Sequence, residues 1–142
     1  MRALLVANTF ATTTDGSIQS QVVSELSKFL DITVANTSAR NDAIEFAKGA
    51  QQQGFEIVIG LGGDGTINEI ANGLLANGPN PQGPMLAAIP GGNGNVFARN
   101  MGLSENPLEA TEQILNSLGT KNFKDIGVGK IATNNISRWF LF

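Results

Sequence analysis

Ile57-Val58-Ile59-Gly60-Leu61-Gly62-Gly63-Asp64-Gly65-Thr66-Ile67-Asn68-Glu69 reads as an apolar strand that passes through a turn holding four glycines into a helix. Without side chains at Gly60, Gly62, Gly63 and Gly65, backbone N–H groups can approach an anion closely. The helix predicted to start near Thr66 adds unpaired first-turn amides and the positive end of its dipole. The turn is therefore expected to hold phosphate. Asp64 places a carboxylate where magnesium carried on phosphates takes an oxygen ligand. An acid at a helix start is also favourable for the dipole alone, so that reading stands beside the metal role.

Two other nucleotide signatures share these letters. Gly60-x-Gly62-x-x-Gly65 fits the dinucleotide fingerprint, which expects an acid at the end of the next strand to bind ribose. That strand ends Ala88-Ile89-Pro90-Gly91, without one. A P-loop requires Gly-Lys-Ser/Thr opening the helix, and no lysine occurs between Gly49 and Thr120.

Outward from the turn, segments 3–7, 32–35, 55–61 and 85–89 read as strands. Between them, Ile18, Val22, Leu26 and Phe29 recur at helical spacing, as do Ala43, Ile44, Ala47 and Ala50 in a helix beginning near Ala39. Ile67, Ile70, Ala71, Leu74 and Leu75 form the buried face of a third helix, stopped by Gly78-Pro79-Asn80-Pro81. A helix over 95–102 follows. Asn106, Pro107 and Glu109 then read as N-cap, first helical residue and capping-box acid of a helix through Leu118. This alternation implies a parallel sheet with helices on both faces. Ligands of such sheets lie at the carboxyl ends of the strands, where Asn8, Asn36, Gly62 and Gly91 fall.

From Phe123 the pattern becomes alternating over 124–131. A Thr133-Asn134-Asn135 turn follows, and Ile136-Ser137-Arg138-Trp139-Phe140-Leu141-Phe142 closes on four apolar residues. Such a hairpin leaves an open hydrophobic edge that could pair with a second copy in a homodimer. The expected division is an α/β nucleotide-binding domain over 1–122 and, over 123–142, the start of a β-rich domain that is mostly absent.

The 142 residues, 42% of them hydrophobic, suffice for one domain with a core. Cysteine and histidine are both absent, which excludes disulfides, thiol catalysis, histidine general bases and ordinary structural zinc. Acid–base chemistry must then fall to a carboxylate. A net charge of −3 without a basic cluster argues against nucleic acid and against polybasic membrane attraction. No run reaches the roughly 20 apolar residues of a membrane span, and Met1-Arg2-Ala3-Leu4-Leu5-Val6-Ala7-Asn8 reads as a strand, so the cytoplasm is expected.

Gly62-Gly63-Asp64-Gly65-Thr66 followed by Ile67-Asn68-Glu69-Ile70-Ala71-Asn72-Gly73-Leu74 resembles the signature of the diacylglycerol kinase catalytic domain family, which includes bacterial lipid kinases and sphingosine kinases. Ile89-Pro90-Gly91-Gly92-Asn93-Gly94-Asn95-Val96-Phe97-Ala98-Arg99 resembles that family's second block. The resemblance implies a three-layer αβα domain with a mainly parallel sheet, of the NAD kinase and phosphofructokinase type. It also implies transfer of the γ-phosphoryl of ATP, with Mg2+, to a lipid hydroxyl at a membrane surface, diacylglycerol giving phosphatidic acid.

By the same resemblance Gly62, Gly63, Asp64, Gly65 and Thr66 would hold phosphates, with Asp64 on the metal directly or through water. Thr37, Asn68, Glu69, Gly91, Gly92 and Asn93 would position the nucleotide, although relatives carry Thr where Asn93 stands. Asn8 matches the start of a family Asn-Pro segment in which Thr9 replaces proline, and Thr12 supplies a hydroxyl nearby. For Thr37 an N-cap of the following helix is the competing role, and for Asn8 a local turn. Arg99 could sit near charge or form a surface ion pair. The general base is expected in the missing domain, so this fragment would bind nucleotide weakly and lack turnover. Competing functions are a soluble-substrate kinase of the NAD kinase type and a non-catalytic nucleotide or anion sensor.

Overall fold

The computed structural model describes residues 1–8, 16–92 and 94–141. Four parallel strands form one sheet: β1 (Arg2–Asn8), β2 (Asp31–Thr37), β3 (Ile57–Gly62) and β4 (Met85–Pro90), in the spatial order β2-β1-β3-β4. The helices are α1 (Gly16–Ser27), α2 (Asp42–Lys48), α3 (Asp64–Leu74), α4 (Val96–Asn100) and α5 (Pro107–Thr120). The three-layer arrangement follows from strand parity, because successive side chains point to opposite faces. Ala3, Leu5 and Ala7 of β1 and Ile57, Ile59 and Leu61 of β3 pack against Val22 and Leu26 of α1 and Ile114 of α5. Leu4, Val6 and Val58 face the other way, onto Ala43 and Ala47 of α2 and Ile70 of α3. Near-continuous apolar strands are what burial on both faces requires.

Glycines set how closely α3 seats. A Cβ at Gly60 would stand 2.5 Å from Ile67 Cδ1 and 2.7 Å from Ile70 Cδ1, so the bare backbone there admits the apolar stripe of the helix. On its outer side α3 meets α2, where a Cβ at Gly73 would lie 2.7 Å from Ala47 Cβ and 3.0 Å from the Lys48 nitrogen. Rigid seating on both sides fixes where the first turn of α3 points.

Several boundaries differ from the sequence expectation. α3 starts at Asp64 rather than near Thr66, with Gly63 as its N-cap. The third strand starts at Ile57, because the Phe55 N–H is bonded to the Ala50 carbonyl at 3.0 Å in the turn after α2. Phe29 lies beyond the end of α1 and is 71% exposed, so it takes no part in the helical stripe. Asn106 caps α5 as expected, accepting from the Leu108 and Glu109 N–H groups, with Pro107 next. The capping box is closed by a relay: Glu109 accepts the Ser104 hydroxyl at 2.7 Å, and that oxygen accepts the Asn106 N–H at 3.1 Å.

α2 also starts later than expected, at Asp42. The Asp42 carboxylate accepts the Ser38 and Ala39 N–H groups at 2.8 and 2.9 Å and the Ser38 hydroxyl at 3.1 Å, which holds these residues in a turn. The backbone bond from Ser38, then that from Ala39, then the hydroxyl hold the carboxyl pKa below its ordinary value. A lowered folded pKa contributes stability above the ordinary carboxylate range, lost as pH falls through the lowered value. Asp42→Ala is therefore expected to melt earlier than the parent at neutral pH, with the gap closing below about pH 4. Thermal melts across pH check this, and a gap that persists in acid would rule out the charged turn.

The final segment forms an antiparallel hairpin, β5 (Gly129–Ala132) with β6 (Ser137–Phe140), while 122–128 lies outside any strand. β6 docks on α3, where one side chain bonds both backbone groups of a β6 residue. The Asn72 amide donates to the Trp139 carbonyl at 2.9 Å and accepts the Trp139 N–H at 2.8 Å. Ile131, Ile136 and Phe140 remain exposed.

Candidate functional site

The chain runs from β1 outward to β2 and then returns across β1 to β3. The carboxyl ends of β1 and β3 thus flank the point where strand order reverses, the place where open sheets form ligand crevices. Asn8 ends β1 and Gly62 ends β3. The Asn8 amide donates to the Thr66 hydroxyl at 3.1 Å, linking the end of β1 to the first turn of α3. A Cβ at Gly62 would stand 2.8 Å from that hydroxyl oxygen and 3.2 Å from Asn8 Cβ.

The second glycine loop lies against the first. The Gly91 N–H donates to the Gly62 carbonyl at 2.8 Å, and a Cβ on Gly92 would fall 2.5 Å from Gly63 Cα. Gly62, Gly63 and Gly92 are thus accounted for by loop packing alone. Gly65 is different: it is exposed, nothing lies within 4 Å of a Cβ built there, and its φ is not in the left-handed region. Neither packing nor backbone strain calls for glycine at that position.

Asp64 couples the two loops. Its Oδ2 accepts the Val96 N–H at 3.0 Å and its Oδ1 the Phe97 N–H at 3.1 Å, so it caps α4 from across the crevice. Its proximity also explains Gly94, where a Cβ would be 2.9 Å from Asp64 Oδ2. α4 needs this help because its N-cap, Asn95, sits at φ 51 and makes no side-chain cap of its own. A carboxylate offers about four lone-pair sites, so two remain after capping. Among the described residues no three metal-ligating side chains cluster, so no dedicated metal cage is built. Magnesium bound mainly by phosphates and water requires only one or two carboxylates, and Asp64 fits that smaller demand.

The remaining sequence candidates divide. Asn68, one turn along α3 from Asp64, has a buried Oδ1 without a hydrogen-bond partner in the structure. Buried polar atoms are rarely left so, and an absent ligand or water is one physical reason. Glu69 reaches away to accept the Asn41 N–H at 3.2 Å, bracing α3 against the loop before α2. Thr37 ends β2, buried, with its hydroxyl donating to the Ala7 carbonyl at 3.4 Å; it is not the N-cap of α2, a position held by Asn41. Arg99 pairs with Glu105 at 3.8 Å, both exposed, which is the surface ion pair. Thr12 and Asn93 lie outside the described residues. Sequence reasoning missed the capping role of Asp64, the reason for Gly94 and the Asn72 anchor. Each depends on a partner 30 to 67 residues away, for which local spacing holds no signal.

Fold and site together define an open parallel-sheet α/β domain whose two glycine loops meet at the sheet's switch point. The chain belongs to the diacylglycerol kinase catalytic domain family, whose profile matches residues 2–130. It is 38% identical over 96 residues to a diacylglycerol kinase of Bacillus subtilis, covering 67% of this chain and 29% of that protein. It is 33% identical over 105 residues to a diacylglycerol kinase of Staphylococcus carnosus, covering 74% and 31%. The crystal structure of a diacylglycerol kinase from Bacillus anthracis superposes with a TM-score of 0.73 at 31% identity, covering 82% of this chain and 43% of that one. The chain thus spans less than a third of the length of these two curated relatives. Among the described residues no helix is long and apolar enough to cross a membrane.

Proposed function

We propose that the crevice binds ATP with magnesium and that this chain is the nucleotide-binding part of a lipid kinase acting at a membrane surface, with diacylglycerol as phosphoryl acceptor. The observation that carries the nucleotide reading is Gly65. It lies in the first turn of α3, an 11-residue helix whose N-cap Gly63 makes no side-chain cap. Its own missing side chain leaves the first-turn amides open to an anion, with the helix dipole favouring negative charge. The chain's part in phosphoryl transfer is to hold and orient phosphates, a reaction in which positioning and charge stabilisation dominate. Asp64 would hold magnesium, which neutralises phosphate charge when bound. Family membership and the names of the relatives support the kinase reading and the lipid acceptor.

Gly65→Ala separates ligand approach from folding. Alanine there meets no neighbour and is favoured over glycine in a helix by up to about 1 kcal/mol, so thermal stability is expected to hold or rise. Affinity for ADP with magnesium is expected to fall about tenfold, about 1.4 kcal/mol, because on this reading the added methyl takes up space through which a phosphate reaches the first turn. Calorimetric titration of both proteins reads the result. Equal affinities would remove the anion role of this turn.

A further inference from the structure

We infer that Asn95 is a positioning residue that shapes the second glycine loop and thereby the crevice, an inference that rests on the nucleotide reading above. Its amide engages both backbone polar groups of Gly92. Nδ2 donates to the Gly92 carbonyl at 2.8 Å, and Oδ1 accepts the Gly92 N–H at 3.2 Å. The pair closes a hydrogen-bonded ring between the Asn95 amide and the Gly92 backbone, with a side-chain amide standing where a neighbouring peptide group would otherwise bond. The Asn95 backbone is left-handed at φ 51, ψ 37, a conformation that asparagine tolerates better than most residues. Aspartate would lack the donor for the carbonyl, glycine would lack both groups, and alanine would lack both and be strained as well.

Two consequences follow for the site. The ring holds Gly92 in its contact with Gly63, so the two loops move together. It also occupies the Gly92 N–H, which is then unavailable to phosphate, leaving the role of donor to the first turn of α3 at Gly65 and Thr66. On its other side Asn95 leads directly into Val96 and Phe97, whose N–H groups Asp64 grips. Asn95 therefore joins the Gly63 contact to the Asp64 contact, and both flanks of the loop are tied to the start of α3.

The test is Asn95→Gly, which keeps the left-handed backbone free of strain while removing both bonds. Amide hydrogen exchange by NMR and titration with ADP and magnesium are run on the same samples beside the parent chain. Exchange at Gly92 is expected to quicken at least about tenfold and ADP affinity to fall about tenfold. The melting temperature is expected to stay within about 3 °C, since loss of the two part-buried bonds is offset in part by relief of the left-handed backbone. Unchanged exchange at Gly92 would overturn the ring, and faster exchange with parental affinity would overturn the positioning role. Affinity loss accompanied by a large drop in melting temperature and faster exchange throughout α3 and α4 would reduce Asn95 to a merely structural residue. A parent chain that binds no ADP would instead defeat the nucleotide reading, and this inference with it.

Discussion

Asp64→Ala is expected to lose both nucleotide affinity and stability, in proportions that weigh its proposed metal role against its observed capping role. The side chain accepts two backbone N–H groups at the start of α4, and capping substitutions of this kind cost about 0.5–2 kcal/mol. We expect about 2 kcal/mol here, because the bonds are charge-assisted and link two loops rather than neighbours in one helix. For a domain of this size that corresponds to a fall in melting temperature of about 6 °C. Affinity for ADP with magnesium should fall about 30-fold, about 2 kcal/mol, through loss of the metal's carboxylate and loosening of the second loop. Asp64→Asn separates these contributions. One oxygen can still accept an N–H, so about half of the stability should return, while the charge that magnesium requires does not. If affinity returned with stability, Asp64 would be a cap alone.

Asn72→Ala is expected to release the hairpin from α3. The amide satisfies both backbone groups of Trp139 and also donates to the Asn68 carbonyl at 2.8 Å, so alanine leaves two partly buried groups of β6 without partners. Each hydrogen bond of this kind contributes about 1 kcal/mol net, which puts the cost of undocking at about 2 kcal/mol. A two-stranded hairpin has marginal stability when separated from other structure. Trp139 is the single tryptophan and lies beside Lys130, with the ammonium 5.0 Å from the ring centroid. Its emission should therefore shift to the red in the variant while far-ultraviolet helix content stays near that of the parent. An unshifted emission spectrum would mean that apolar contacts, and not Asn72, hold β6.

Asp64 and Asn72 show where sequence reading reached its limit. The alternation of strands and helices, the parallel sheet, the glycine turns at strand ends and the hairpin were all legible, because each is written in local periodicity or in turn chemistry. The N-cap at Asn106 was legible for the same reason, its partners lying two and three residues away. The boundaries of α2 and β3 were displaced by bonds that a hydrophobic pattern does not encode, from Asp42 back to Ser38 and from Phe55 to Ala50.

Glycine illustrates the division most sharply. From the sequence, every glycine in the turn argued equally for ligand approach. The structure assigns Gly60 to the seating of α3, Gly62 to the contact between Asn8 and Thr66, and Gly63 with Gly92 to loop packing, leaving Gly65 without a steric reason. Sequence by itself determined the architecture and the meeting of the glycine loops at the strand ends, since strand parity, helix period and turn chemistry depend on residues close in the chain. Only the tertiary structure decided which glycines the packing of the loops requires and which it leaves without a steric reason, because that depends on distances between backbones brought together across the sheet ends.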